Sequence, residues 1–177
     1  QAATNPALIN PDASVQLSIH KYLGEVTNQT ANGTELSSFD RPALQGVKFK
    51  IFKVTDVDLK TNKGWETATA LQGADLSRVT ASGGSIAVGN STFTLTEAGE
   101  STTNADGLAT LTPAQGVGLY VVVEDLAGSG RITEAGSTTD IKNTLTASMP
   151  FLVTLPMTDP AKTSSWLYDV HVSPKHQ

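Results

Sequence analysis

Cysteine is absent from this 177-residue sequence, which excludes disulfide staples, thiolate metal ligands and a cysteine nucleophile together. A secreted domain without disulfides needs a large core or another covalent device to toughen it. Charge is scarce as well: 16% of residues are charged, with 12 Lys and Arg against 17 Asp and Glu and a net charge of -5. With no basic stripe to neutralise phosphates, nucleic acid and anionic membrane surfaces are excluded as partners. No stretch approaches the ~20 apolar residues that span a bilayer, and the first residues do not form a charged and apolar signal sequence. The expectation is a soluble chain from which any export signal has been removed.

Enzyme signatures are missing too. There is no HExxH, no GxSxG, no P-loop and no GxGxxG after a strand, and His20, His171 and His176 have no triad partners in the sequence. Neither an enzyme nor a bound cofactor is expected. "TDVDLKTN" offers Asp56, Asp58 and Asn62, half of an oxygen-ligand loop, but it lacks the glycine and distal glutamate of a calcium site, so solvated turn charges are expected and no metal.

What is present is a strand-former's palette. Hydrophobic residues make up 38%, and Thr, Ser, Ala, Gly and Asn dominate the rest. Residues 1–13 are rich in Asn, Pro and Ala without periodicity and read as an extended arm; 14–177 read as one domain. Val15, Leu17 and Ile19 alternate with Gln16, Ser18 and His20, a half-buried strand that leaves Lys21 on its apolar side. Turn formers from Glu25 to Gln45 predict a long loop with Gly46 as its exit. "VKFKIFKV" alternates again, with Phe52 and Lys53 blurring its end. Trp65, Ala68, Leu71, Leu76 and Val79 follow loose helical spacing, interrupted by Gly73, and predict one short helix. "STFTLTE", "LATL", "LYVVVED", "PFLVTLP" and "WLYDVHV" complete a set of strands, the last two separated by a polar loop. Many strands, long irregular loops and little helix predict an all-β Greek-key sandwich.

In "TNADGLATLTPAQGVGLYVVVED", Gly107, the Gly116 to Gly118 loop, Tyr120 and Glu124 resemble the signature of Cna-type B domains, which are immunoglobulin-like. The resemblance implies a core glutamate that assists an internal isopeptide bond between a first-strand lysine and a last-strand Asn or Asp. Tyr120, Val122 and Glu124 share one strand face, and Lys21 lies on an apolar face, so the two charges are expected to meet; either one buried alone would cost several kcal/mol. The last strand offers no well-placed Asn and only Asp169. Three arrangements stand: an acceptor beyond Gln177, Asp169 itself, or no bond in this domain.

"WLYDVHVSPKHQ" resembles the pilin motif of Gram-positive sortase-assembled shaft pilins, W-x-x-x-V-x-V-Y-P-K, at Trp166, Val170, Val172, Pro174 and Lys175. Ser173 stands where that family has Tyr, and His176 where Asn is common. Alternation buries Trp166, Tyr168, Val170 and Val172, and Pro174 ends the ladder, so Lys175 is expected at an accessible rim. The resemblance implies the N-terminal domain of a major pilin, in which Lys175 accepts the sorting-signal threonine acyl group of the next subunit. Its implied partners are other copies of the same pilin, a pilus-specific class C sortase, and tip and base pilins, on a pilus anchored to the Gram-positive cell wall. The amine must lose a proton before it attacks, and His171 and His176 are local candidates to help.

"LPMTD" at Leu155 to Asp159 looks like an LPxTG sorting signal, but Asp159 replaces the required glycine and no apolar span follows; the true signal is expected elsewhere, with further domains. Sequons at Asn28, Asn32 and Asn90 are expected to be unmodified in a bacterial protein. The alternative reading is an adhesin domain that uses the Glu25 to Gln45 loop to hold host glycan or matrix protein.

Overall fold

The computed structural model describes residues 8–24, 41–162 and 165–174. Among them the chain forms, in order, β1 (Gln16–His20), β2 (Leu44–Gln45), β3 (Lys48–Val54), α1 (Asn62–Leu71), β4 (Ser85–Val88), β5 (Ser91–Thr102), β6 (Leu108–Leu111), β7 (Gly118–Asp125), β8 (Thr133–Glu134), β9 (Phe151–Leu155), β10 (Met157–Thr158), β11 (Trp166–Leu167) and β12 (Asp169–Val172). A five-stranded sheet runs β4-β5-β3-β7-β9 and a three-stranded sheet β12-β1-β6; β2 with β8 and β10 with β11 make short ribbons.

Period-two patterning builds both sheets. On β3, Phe49 and Ile51 are buried while Lys48 and Lys50 are half-buried on the other face. Phe49 and Ile51 stand directly opposite Glu124 and Val122 of β7, which places those four side chains on one face. On the second sheet Leu17 and Ile19 face Val170 and Val172 across a parallel seam, and Leu111 and Ala109 across an antiparallel one. All of these belong to one hydrophobic core. Strand β7 is buried on both faces, Leu119 to Val122 completely, so each large side chain there contributes about 1.5–3 kcal/mol by leaving water.

Several expectations are corrected here. The helix starts two residues before Gly64 and stops at Leu71, so Leu76 and Val79 lie outside it. Thr61 caps it, its hydroxyl accepting from Gly64 N at 3.0 Å. Gly64 is required by close approach: a Cβ there would sit 1.7 Å from the Asp58 carbonyl oxygen. The pairing of β3 to β5 skips Ala98 between Ile51 and Phe52, a bulge at Gly99 (φ 148°), and the blurred end of β3 is a stretch buried on both faces. Phe52 and Val54 are buried on the face opposite Ile51, with Phe52 beside Gly83. Strand β4, paired with β5, is absent from the expected strands, and the polar loop before the last strand is partly the β10–β11 ribbon. The arm expected over 1–13 is described from Leu8 onward, where Ile9 is buried in the core.

Candidate functional site

The motif residues line the seam where the last strand meets the first. Gln16 pairs with Asp169, Leu17 with Val170, Ser18 with His171 and Ile19 with Val172. Val170 and Val172 are buried, as are Ser173 and Pro174 beyond them. Lys175, with His176, lies outside the described residues. Trp166 is only half-buried; its ring meets Trp65 of α1 at 5.1 Å between centroids, and the Trp65 indole N–H donates to the Leu59 carbonyl at 2.6 Å. Tyr168, at the break between β11 and β12, accepts from Asn10 N at its hydroxyl (2.9 Å) and from Gln16 N at its carbonyl (2.8 Å). The N-terminal stretch therefore helps to fix the C-terminal one. Among the described residues, Trp166 Nε1 and Ser173 Oγ are the buried side-chain polar atoms without a hydrogen-bond partner.

The second constellation lies in the core. Lys21 Nζ is 2.8 Å from Glu124 Oε1, and both side chains are 1% exposed. Ser148 completes the cluster: its hydroxyl donates to Glu124 Oε1 at 2.9 Å and accepts from Lys21 Nζ at 3.1 Å, and its backbone N–H donates to Glu124 Oε2 at 3.2 Å. The end of β1, the end of β7 and the segment before β9 are thus joined through buried charge. No sequence signal marks Ser148, because 127–150 has no periodicity that assigns it a face. Asp169 is not brought to this cluster: it pairs with Gln16, at the far end of the seam from Lys21, and its side chain is 59% exposed.

His20 and His171, which the sequence left without partners, meet each other. His20 Nε2 lies 2.8 Å from His171 Nδ1, and His171 Nε2 lies 3.5 Å from Asp169 Oδ2. Tyr120, the other signature residue, donates its hydroxyl to the Gly116 carbonyl at 2.5 Å, and burial pushes its pKa up. The Asp58 carboxylate is engaged locally, accepting from Lys60 N and pairing with Lys60 Nζ, and Asn62 opens α1. Among the described residues no group of three or more His, Cys, Asp or Glu is arranged for a metal ion, and no helix is long and apolar enough to cross a membrane. Of the loop considered for ligand binding, 25–40 lie outside the described residues, as do Asn28 and Asn32.

A family model for the N-terminal domain of the Gram-positive pilin subunit, D1, matches residues 12–177. The chain belongs to this family. The pilin domain is 34% identical over 178 residues to fimbrial subunit type 1 of Actinomyces viscosus, covering 99% of this chain and 28% of that protein. It superposes on the fimbrial protein FimP of Actinomyces oris with a TM-score of 0.65 at 33% identity, over 96% of this chain and 31% of that one. The solution structure of the Corynebacterium diphtheriae SpaA pilin–signal peptide complex gives a TM-score of 0.63 at 30% identity, over 93% of this chain and 98% of that one. The pilin domain thus spans under a third of its fimbrial relatives. Its fold is the immunoglobulin-like all-β sandwich of pilin domains, and its family comprises structural subunits of surface pili rather than enzymes.

Proposed function

We propose that this domain presents Lys175 as the acyl acceptor in sortase-catalysed, head-to-tail pilus polymerisation. The ε-amine attacks the acyl carbon of a thioester between the sorting-signal threonine of another subunit and the sortase cysteine. The C–S bond breaks, an amide forms, and the thiolate leaves while the nitrogen sheds its proton. One observation carries the reading: Val170, Val172 and Pro174 are buried immediately before the lysine, on a strand locked in register with β1. A backbone held in register up to the residue before the acceptor supports attack by this lysine over the rest.

The partners follow from this chemistry: further copies of the same pilin, a pilus-specific class C sortase, and tip and base pilins on a wall-anchored fibre. A signal peptide complex is known for the SpaA pilin, and we carry over to this domain a comparable docking of the incoming subunit's signal. Repeated heterologous contacts of this kind generate an open filament. An internal amide between Lys21 and Asp169 is not part of the proposal. In cells carrying the cognate sortase, wild-type chains should form high-mass ladders and Lys175→Ala chains should not; undiminished Lys175→Ala ladders would refute the assignment.

A further inference from the structure

Residues Leu155 to Asp159 read LPMTD, one position away from the LPxTG signal that gives its threonine acyl group to a sortase. They take no part in the acceptor chemistry above. The fold holds the whole segment. Leu155 ends β9, fully buried and paired with Gly118 of β7, and Pro156 is buried after it. Met157 and Thr158 form β10, opposite Leu167 and Trp166 of β11. The Asp159 backbone N–H donates to the Ser165 carbonyl at 3.0 Å, and the Asp159 carboxylate accepts from Ala161 N at 2.9 Å. Strand β11 is fixed in turn from outside the ribbon, because the Trp166 ring meets Trp65 of α1 at 5.1 Å between centroids.

An enzyme that reads successive residues of a peptide needs them extended, unpaired and with the recognised side chains turned outward. Here the leucine and the proline are inside the domain, and the residues on both sides of the Thr158–Asp159 bond are engaged with β11 and Ser165. Reading the segment requires the ribbon to open and Leu155 to leave the core. Extracting one buried leucine lowers the readable population about tenfold to a hundredfold, and loss of the ribbon adds to that.

We propose that Leu155 to Asp159 is a cryptic sortase cleavage segment with two guards: Asp159 in place of glycine, and a fold that withholds the segment even when glycine is supplied. The enzyme class rests on the sortase reading above; the acceptor amine does not enter. Once the segment is open and carries glycine, the sortase thiolate attacks the Thr158 carbonyl carbon. The C–N bond to residue 159 breaks, and the amine of residue 159 leaves with a proton. Such a cut severs the chain between β10 and β11, ahead of the strand that pairs with β1.

Hydroxylamine, which takes the acyl group in place of any lysine, makes the test. This chain carrying Asp159→Gly, and a free peptide of residues 151–162 with the same substitution, are incubated with a pilus-specific class C sortase. A peptide of the enzyme's own sorting signal serves as positive control, and the Thr158 hydroxamate is followed by mass spectrometry. The Asp159→Gly peptide should be cut, and the folded chain at least about tenfold more slowly. Adding Trp166→Ala, which removes the hold of α1 on β11, should speed cutting of the folded chain. Equal rates for peptide and folded chain overturn the guard, and an uncut Asp159→Gly peptide overturns the recognition. Should Asp159→Gly fail to fold, amide exchange of the wild type decides: Leu155 and Asp159 N–H should be protected at least about tenfold over free-peptide rates, and unprotected amides overturn the guard. The Lys175→Ala ladder test is separate. Undiminished ladders leave the cleavage result standing, and a folded chain that is cut leaves the acceptor standing.

Discussion

Replacing Lys21 by methionine keeps most of its length and apolar stem while removing the ammonium 2.8 Å from Glu124 Oε1. Among the described residues, the carboxylate, 1% exposed, would keep the two donors of Ser148 for its negative charge. Breaking one partner out of a buried pair typically costs about 3–5 kcal/mol, because a lone charge stays in a poorly polarisable surrounding. For a domain of this size each kcal/mol lowers the melting temperature by about 2–4 °C, so Lys21→Met should melt roughly 6–20 °C below wild type. Lys21→Met/Glu124→Leu removes both charges, and the double variant should return to within about 4 °C of wild type or exceed it. Calorimetry at pH 7 on the two single variants and the double variant completes the cycle. A single Lys21→Met variant that melts within about 2 °C of wild type would refute the claim that the pair is desolvated and mutually dependent.

Two further outcomes are expected. Gly64→Ala improves helix propensity by about 1 kcal/mol, yet its methyl would meet the Asp58 carbonyl at 1.7 Å, so chemical denaturation should show a net loss of at least about 1 kcal/mol. Tyr120→Phe loses the bond to the Gly116 carbonyl and should cost about 1 kcal/mol at pH 7. Because the folded protein holds this phenol above its ordinary range, its contribution is full below pH ~10 and fades as pH rises, so wild type and Tyr120→Phe should converge in strongly alkaline denaturation curves.

The sandwich was legible wherever one face of a strand is apolar. Val15 to Ile19, Phe49 with Ile51, and the run from Leu119 to Val123 all announce themselves by period or by continuous hydrophobicity. Strand parity even placed Lys21 and Glu124 on facing sides of one core. What stayed hidden depends on non-local or non-periodic features. Phe52 and Val54 stay on the lysine face of β3 but are buried there, because loop residues such as Gly83 cover that end of the sheet. The helix ends at Leu71 although Leu76 and Val79 continue its apolar spacing, because those two pack as turns against the core. Ser148 sits in a segment without period. His20 and His171 are 151 residues apart and meet only because the first and last strands run parallel, a relation that no local window contains.

The central claim concerns a single amine at the end of β12. Digestion of native fibres built from this subunit, followed by mass spectrometry of branched peptides, should recover Lys175 carrying the carboxyl-terminal threonine of another subunit. Recovery of Lys175 with a free side chain throughout, and of the branch on a different lysine, would contradict it.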